Sequence, residues 1–127
     1  MTPDDPIAAY AAAWVETDPQ HRRALLETAW ADDGVYSDPL DHLTGRQALA
    51  DHIGGTQAQL AGGQIAVTTE PVRHHDSAFF RWTMTDPSGA VALTGWDVVQ
   101  LDDAGRIVRL TGFFDQDTAQ PTSTGQG

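Results

Sequence analysis

Apolar residues recur at helical spacing through the first half of the chain and at strand-like spacing through the second. Ile7, Tyr10, Ala11, Trp14 and Val15 form one stripe of period 3.6. Asp4 or Asp5 can cap that helix, and Pro6 suits its first turn. Asp18 and Pro19 repeat the device. They predict a second helix that runs to about Asp32, with Leu25, Leu26, Ala29 and Trp30 inward and Gly34 as its stop. Val35-Tyr36-Ser37-Asp38 is short and β-prone, and Pro39 closes it. Thr44-Gly45-Arg46-Gln47 fits a capping box and predicts a third helix to about Leu60. That helix offers Leu49, His52, Ile53 and Leu60 for burial, and Gly54-Gly55 weakens its middle.

After Gly62-Gly63 the texture changes. Residues 64–74, 77–85, 90–101 and 106–114 are rich in Val, Ile, Thr, Phe or Trp and predict four strands. His75-Asp76, Asp86-Pro87-Ser88-Gly89 and Asp102-Asp103-Ala104-Gly105 are turn chemistry between them. Such short connections imply antiparallel hairpins, and long antiparallel strands coil. Three helices followed by a meander give an α+β fold. Helices over the concave side of such a sheet would leave a cone with a pocket inside. The organisation is one domain over residues 1–116 and a polar tail over 117–127, expected to be flexible.

Composition narrows the chemistry. The chain has 127 residues and no Cys, which excludes disulfides, thiolate metal sites and Cys nucleophiles. Its formal charge is −11 and all seven basic residues are Arg. No basic face offers itself to nucleic acid or to an anionic membrane. No apolar run approaches the roughly 20 residues of a membrane span. The N-terminal Met-Thr-Pro-Asp-Asp-Pro is unlike a signal peptide, so a cytoplasmic location is expected. No Gly-rich phosphate loop or nucleophile elbow is present, so no cofactor and no covalent acyl chemistry are expected. His42, His52, His74 and His75 lack metal-ligand spacing, and no metal is expected.

Three segments in order resemble the nuclear-transport-factor-2-like (NTF2-like) superfamily, in particular its SnoaL-like and ketosteroid-isomerase-like members. They are the stretch from Trp30 through Asp32-Asp33-Gly34 to Asp38-Pro39, the Gly45-Arg46-Gln47-Ala48-Leu49 helix start, and the run from Asp97 through Asp102-Asp103-Ala104-Gly105 to Phe114. The resemblance implies a cone-shaped barrel with a deep, mostly apolar cavity, binding an apolar small molecule, and a homodimer through the outer face of the sheet. Superfamily members include isomerases, polyketide cyclases, epoxide hydrolases, dehydratases and non-catalytic binding domains, so the fold alone does not select a reaction.

At the level of residues, the resemblance places Asp38 at the position of the proton-shuttling base of ketosteroid isomerases. It places Asp97 at the protonated hydrogen-bond donor and Tyr10 at the second donor. Moving a double bond beside a carbonyl needs such a base, and donors aimed at the oxygen that becomes an enolate; ketosteroid isomerase is a known worked case of this arrangement. Asp97 sits among Val, Trp and Leu on a predicted strand, a setting that raises a carboxyl pKa. Alternation gives it one face with Leu93, Gly95, Val99 and Leu101. The expected cavity wall is Trp14, Trp30, Tyr36, His52, Trp82, Leu110 and Phe114. The leading expectation is proton-transfer chemistry, either isomerisation or aldol-type cyclisation. Two alternatives stay open: an epoxide hydrolase or dehydratase in which Arg81 works with two Asp, Asp115 among the candidates, and a binding domain without turnover.

Overall fold

The computed structural model describes residues 4–115, and the expected tail at 117–127 lies outside them. Helix α1 (Pro6–Val15) starts as its sequence predicts: the Asp5 carboxylate accepts the Ala8 N–H at 2.9 Å, and Pro6 holds the first turn. Helix α2 (Pro19–Ala29) begins the same way at Asp18. It ends at Ala29, earlier than expected, and Trp30 opens strand β1 (Trp30–Ser37). Gly34 is therefore not a helix stop. It lies inside β1, where the pairing register breaks, and a Cβ there would come 2.5 Å from the Trp30 indole nitrogen. Arg46 marks the switch from helix to strand, donating to the Trp30 carbonyl through Nε and Nη2 at 3.1 and 2.7 Å.

A short strand not foreseen in the sequence, β2 (His42–Thr44), pairs antiparallel with β1. Helix α3 (Arg46–Leu60) follows. Its expected capping box does not form, because Thr44 belongs to β2. Gly45 takes the cap position at φ 100°, a conformation that suits glycine, and no side chain caps the helix. The expected strand 64–74 is two strands, β3 (Gln64–Val67) and β4 (Val72–His74), both on one edge of β5 (Ser77–Thr85). Between them Pro71 offers no N–H to a ladder, and the Thr69 hydroxyl accepts the Arg81 N–H at 3.0 Å. Strands β6 (Val91–Leu101) and β7 (Ile107–Phe114) complete the sheet.

The sheet order is β2-β1-β7-β6-β5-β3, with β4 also on β5. The expected all-antiparallel sheet is a mixed one, because β1 runs parallel to β7. Three helices pack on this strongly curled sheet to give an α+β half-barrel, in keeping with the layout that the resemblance implies. Among the described residues no helix is long and apolar enough to cross a membrane.

Inward-facing residues of β5, β6 and β7 line up in rows. Ala78, Val99 and Leu110 form one, Phe80, Asp97 and Gly112 the next, and Trp82, Gly95 and Phe114 the third. The first row packs under Ile7, Tyr10, Leu26, Leu49 and Ile53 with Trp30 and Ile107, forming the solid core. Full burial of such a side chain stabilises the fold by about 1.5–3 kcal/mol. From the second row onward the helices and the sheet part, and a cavity opens.

Candidate active site

The cavity has a volume of about 330 Å³, at the small end of the range for small-molecule sites. The sheet supplies Trp82, Met84, Asp97, Gly112 and Phe114; β1 and its following loop supply Tyr36, Asp38, Leu40 and Asp41. Helix α1 contributes Tyr10 and Trp14, and α3 contributes His52, Gly55, Thr56 and Gln59. Of the expected site residues, Tyr10, Trp14, Tyr36, Asp38, His52, Trp82, Asp97 and Phe114 all border this one space.

Three do not. Trp30 is fully buried and stacks on Tyr10 at 5.8 Å between ring centres, so it supports the wall from behind. Leu110 is fully buried in the core row below Gly112. Arg81 is the largest correction. Strand alternation turns Phe80 and Trp82 inward and Arg81 outward. There it pairs with Asp115, and its guanidinium carbon lies 4.3 Å from the centre of the Trp96 ring. The arrangement of Arg81 with two aspartates around a substrate is not formed, since Asp115 lies with Arg81 and the hydroxyl of Thr94.

Asp38 follows directly from β1, where the chain turns at Pro39. Its Oδ1 accepts the N–H groups of Leu40 and Asp41 at 2.9 and 2.8 Å, and its Oδ2 accepts the Tyr36 hydroxyl at 2.6 Å. A carboxylate oxygen has two lone pairs. Oδ1 is thus filled, and Oδ2 keeps one acceptor position for a reacting proton. Tyr36 and Asp38 fall two positions apart on an extended segment, which lets one side chain hold the other. Burial, and then the hydrogen bond to Asp38, raise the Tyr36 hydroxyl far above its ordinary range, so it stays a donor.

Asp97 is 7% exposed. Burial, and secondarily the negative charge of Asp38, push its carboxyl up to about 8, while the Trp82 indole opposes the shift. It is therefore mostly protonated at neutral pH and can donate. Gly112 stands between the two acids. A Cβ there would lie 2.9 Å from Asp97 Oδ1 and 3.3 Å from the Asp38 Cβ. The missing side chain is what keeps the gap open. Tyr10 is buried beside them, and burial raises its hydroxyl well above the ordinary value, with the charge of Asp97 adding to it.

His52 sits between Trp14 and Tyr36, with ring centres at 5.9 and 5.1 Å. Atoms of Asp38, Asp41 and His52 that could ligate a cation lie within 4.8 Å of one another. Asp38 already accepts three hydrogen bonds, and its one open position, on Oδ2, faces the same space as Asp41 and His52.

Gly112, Gly55, Thr56, Gln59 and Asp41, together with the apolar Leu40, Ile65, Val67 and Met84, also border the cavity and are not among the residues expected there. For Gly112 the signal was its alternation with Leu110 and Phe114; for the α3 residues it was their helical spacing from His52.

The model of the SnoaL-like domain matches residues 7–110. A putative isomerase of the SnoaL-like family from Agrobacterium tumefaciens is 34% identical; the match covers 87% of this chain and 94% of that one, with a TM-score of 0.81. A putative polyketide cyclase from Sinorhizobium meliloti is 20% identical over 85% and 93% of the two chains, with a TM-score of 0.66. An NTF2-like protein of unknown function from Exiguobacterium is 18% identical over 87% and 98%, at 0.68. These last two share the fold. No curated protein matches the chain in sequence. Its match to the domain model over most of its length, and its 34% identity to the Agrobacterium protein, make the chain a member of the SnoaL-like family.

Proposed function

We propose that the protein is a cofactor-independent enzyme that moves a proton on a small carbonyl compound, by isomerisation of an enone or by an aldol-type cyclisation. One observation carries this reading: two carboxyl groups face a shared gap at Gly112, one with an open acceptor position and the other buried and mostly protonated. In the isomerisation, Oδ2 of Asp38 takes the α-proton. The electrons of the C–H bond move into the enolate, whose oxygen accepts a hydrogen bond from the Asp97 carboxyl. Asp38 then returns the proton to the γ-carbon, and the double bond ends in conjugation. Tyr36 orients the base. The isomerase name of the Agrobacterium relative agrees with this chemistry.

The test is conversion of β,γ-unsaturated cyclic ketones to their conjugated isomers, followed by absorbance. Turnover is expected, and Asp38→Asn should lower it by at least about 10². A loss below about tenfold would remove Asp38 as the base and with it the reading.

We infer also that the outer face of the sheet pairs with a second copy. Phe79, Val98 and Phe113 are 40%, 42% and 51% exposed on adjacent strands, with Trp96 between them. Exposed apolar clusters of this kind mark interaction sites. Sedimentation should give a dimer, and Phe113→Glu a monomer.

A further inference from the structure

Gly54 and Gly55 interrupt α3 side by side, and the protein itself accounts for only one of them. At Gly54 a Cβ would stand 3.1 Å from Nη1 of Arg22. That buried arginine donates to the Glu16 carbonyl at 3.0 Å and to the Gln57 side chain at 2.5 Å. Gln57 in turn donates to the Trp14 and Glu16 carbonyls. A side chain at Gly54 would press on this clamp between α3 and the end of α1. Among the described residues, a Cβ at Gly55 would meet nothing within 4 Å beyond its own stretch of helix. Apart from proline, glycine is the poorest helix former, yet no neighbour requires it here.

Gly55 borders the cavity on a helical stripe with His52, Thr56 and Gln59. This stripe is polar, whereas Trp14, Trp82 and Phe114 with Val67 and Met84 give the cavity apolar wall elsewhere. Among the described residues the side chains of Asp41, His52, Thr56 and Gln59 make no hydrogen bond. Among the described residues, three aspartates border the cavity and no arginine does.

We propose that bound substrate crosses α3 at Gly55, and that it is an uncharged or ammonium-bearing carbonyl compound whose far end donates hydrogen bonds at the cavity mouth. Its carbonyl lies by Asp97 and its apolar middle between Trp14, Tyr36 and Trp82. Its far end lies over Gly55 against Asp41, Thr56 and Gln59. The placement of the carbonyl rests on the proton-transfer reading; the crossing at Gly55 does not. A donor fits the mouth because a carboxylate, as at Asp41, offers only acceptor oxygens. An anionic end would meet Asp38 and Asp41 with no arginine to offset them.

The experiment uses the full chain and reads binding by quenching of tryptophan fluorescence, since Trp14 and Trp82 border the cavity. The probes are 2-tetralone and its 6-aminomethyl, 6-hydroxymethyl and 6-carboxylate derivatives. The aminomethyl and hydroxymethyl ketones should bind at least about tenfold more tightly than the carboxylate. Gly55→Leu should weaken those two by at least about tenfold, and the shorter unsubstituted ketone by less than about twofold. Gly55→Ala should raise the melting temperature by a few degrees and weaken the same two ketones to a smaller extent; it carries the test if the leucine variant does not fold. Equal weakening of long and short ketones, no weakening at all, tight carboxylate binding, or failure of every ketone to bind would each overturn the proposal. If the binding pattern holds but Asp38→Asn leaves α-proton exchange unchanged, the proton-transfer reading falls and the crossing at Gly55 stands.

Discussion

On the inner face of the sheet, Asp97 stands in the row of Phe80 and Gly112, and its carboxyl is pushed up to about 8 by burial and by the charge of Asp38. On the outer side, Asp115 takes the Thr94 hydroxyl at 2.7 Å and pairs with Arg81, and its carboxyl is held below the usual range, first by Thr94 and then by Arg81. The residue type is the same and the strands are neighbours. What differs is which side of the sheet the pleat presents. Inside, no cation compensates the carboxylate, so the proton stays. Outside, the Thr94 hydroxyl, the Arg81 guanidinium and solvent all favour the carboxylate, so the proton leaves. The inner group can donate to a substrate oxygen; the outer one can only be a partner in a surface pair.

The largest expected effect tests the inner face. Asp38→Asn should lower turnover by about 10²–10⁴ on a ketone substrate, while circular dichroism keeps the native fold. Next, Gly112→Ala puts a methyl group into the gap between the two acids. It should lower turnover by at least about tenfold and destabilise the fold by about 1–3 kcal/mol through overpacking, checked by steady-state kinetics and thermal melts.

The third prediction uses pH. Asp97 binds its proton more tightly folded than unfolded, so between about pH 4 and pH 8 the folded state holds the extra proton. The contribution to stability is therefore fully present below about pH 4, declines as pH rises, and is lost by about pH 8. One unit is worth about 1.4 kcal/mol, which makes several kcal/mol an upper bound across the window. Asp97→Asn should match the parent at pH 4 and exceed it in melting temperature at pH 9. Turnover of the parent should fall as pH rises through about 8. A carbon-13 titration of Asp97 with a midpoint near 4 would remove the contrast between the faces.

The smallest effect tests the outer face. Arg81→Ala should leave turnover within about twofold and change stability by less than about 1 kcal/mol, because both partners of the pair are about a third exposed. A hundredfold loss would return Arg81 to the site chemistry.

The sequence left open which face of the strands is the inner one, and so left Arg81 and Asp115 among the site candidates, yet part of the layout was legible. Alternation gave Asp97 a face with Val99, and the Asp-Pro steps located the starts of α1 and α2. The rest was hidden for physical reasons. Trp30 falls at helical spacing from Leu26, so the strand start read as the last helical turn. Trp30 and Leu110 are apolar, and apolar residues look alike whether they fill a core or face a void. Turn chemistry signals only local antiparallel pairs, so nothing along the chain announced β1 beside β7. Gly112 and Gly55 act through the side chains they lack, so only their spacing from Leu110 and Phe114 and from His52 could have placed them at the cavity.

The parallel pairing of β1 with β7 also bears on how the molecule is made. Tyr36 lies opposite Leu110, and Ser37 opposite Thr111, near the far end of the described chain. Contacts between segments so distant in sequence form late, because loop closure opposes them. As the chain emerges from the ribosome, Asp38 precedes Asp97 on β6, and Gly112, which sets the gap between them, comes only with β7. A nascent chain stopped before β7 would leave the inner edge of β1 unpaired, a strand edge open to wrong partners. Assembly of the two-carboxyl site and closure of that edge are then a single event in folding.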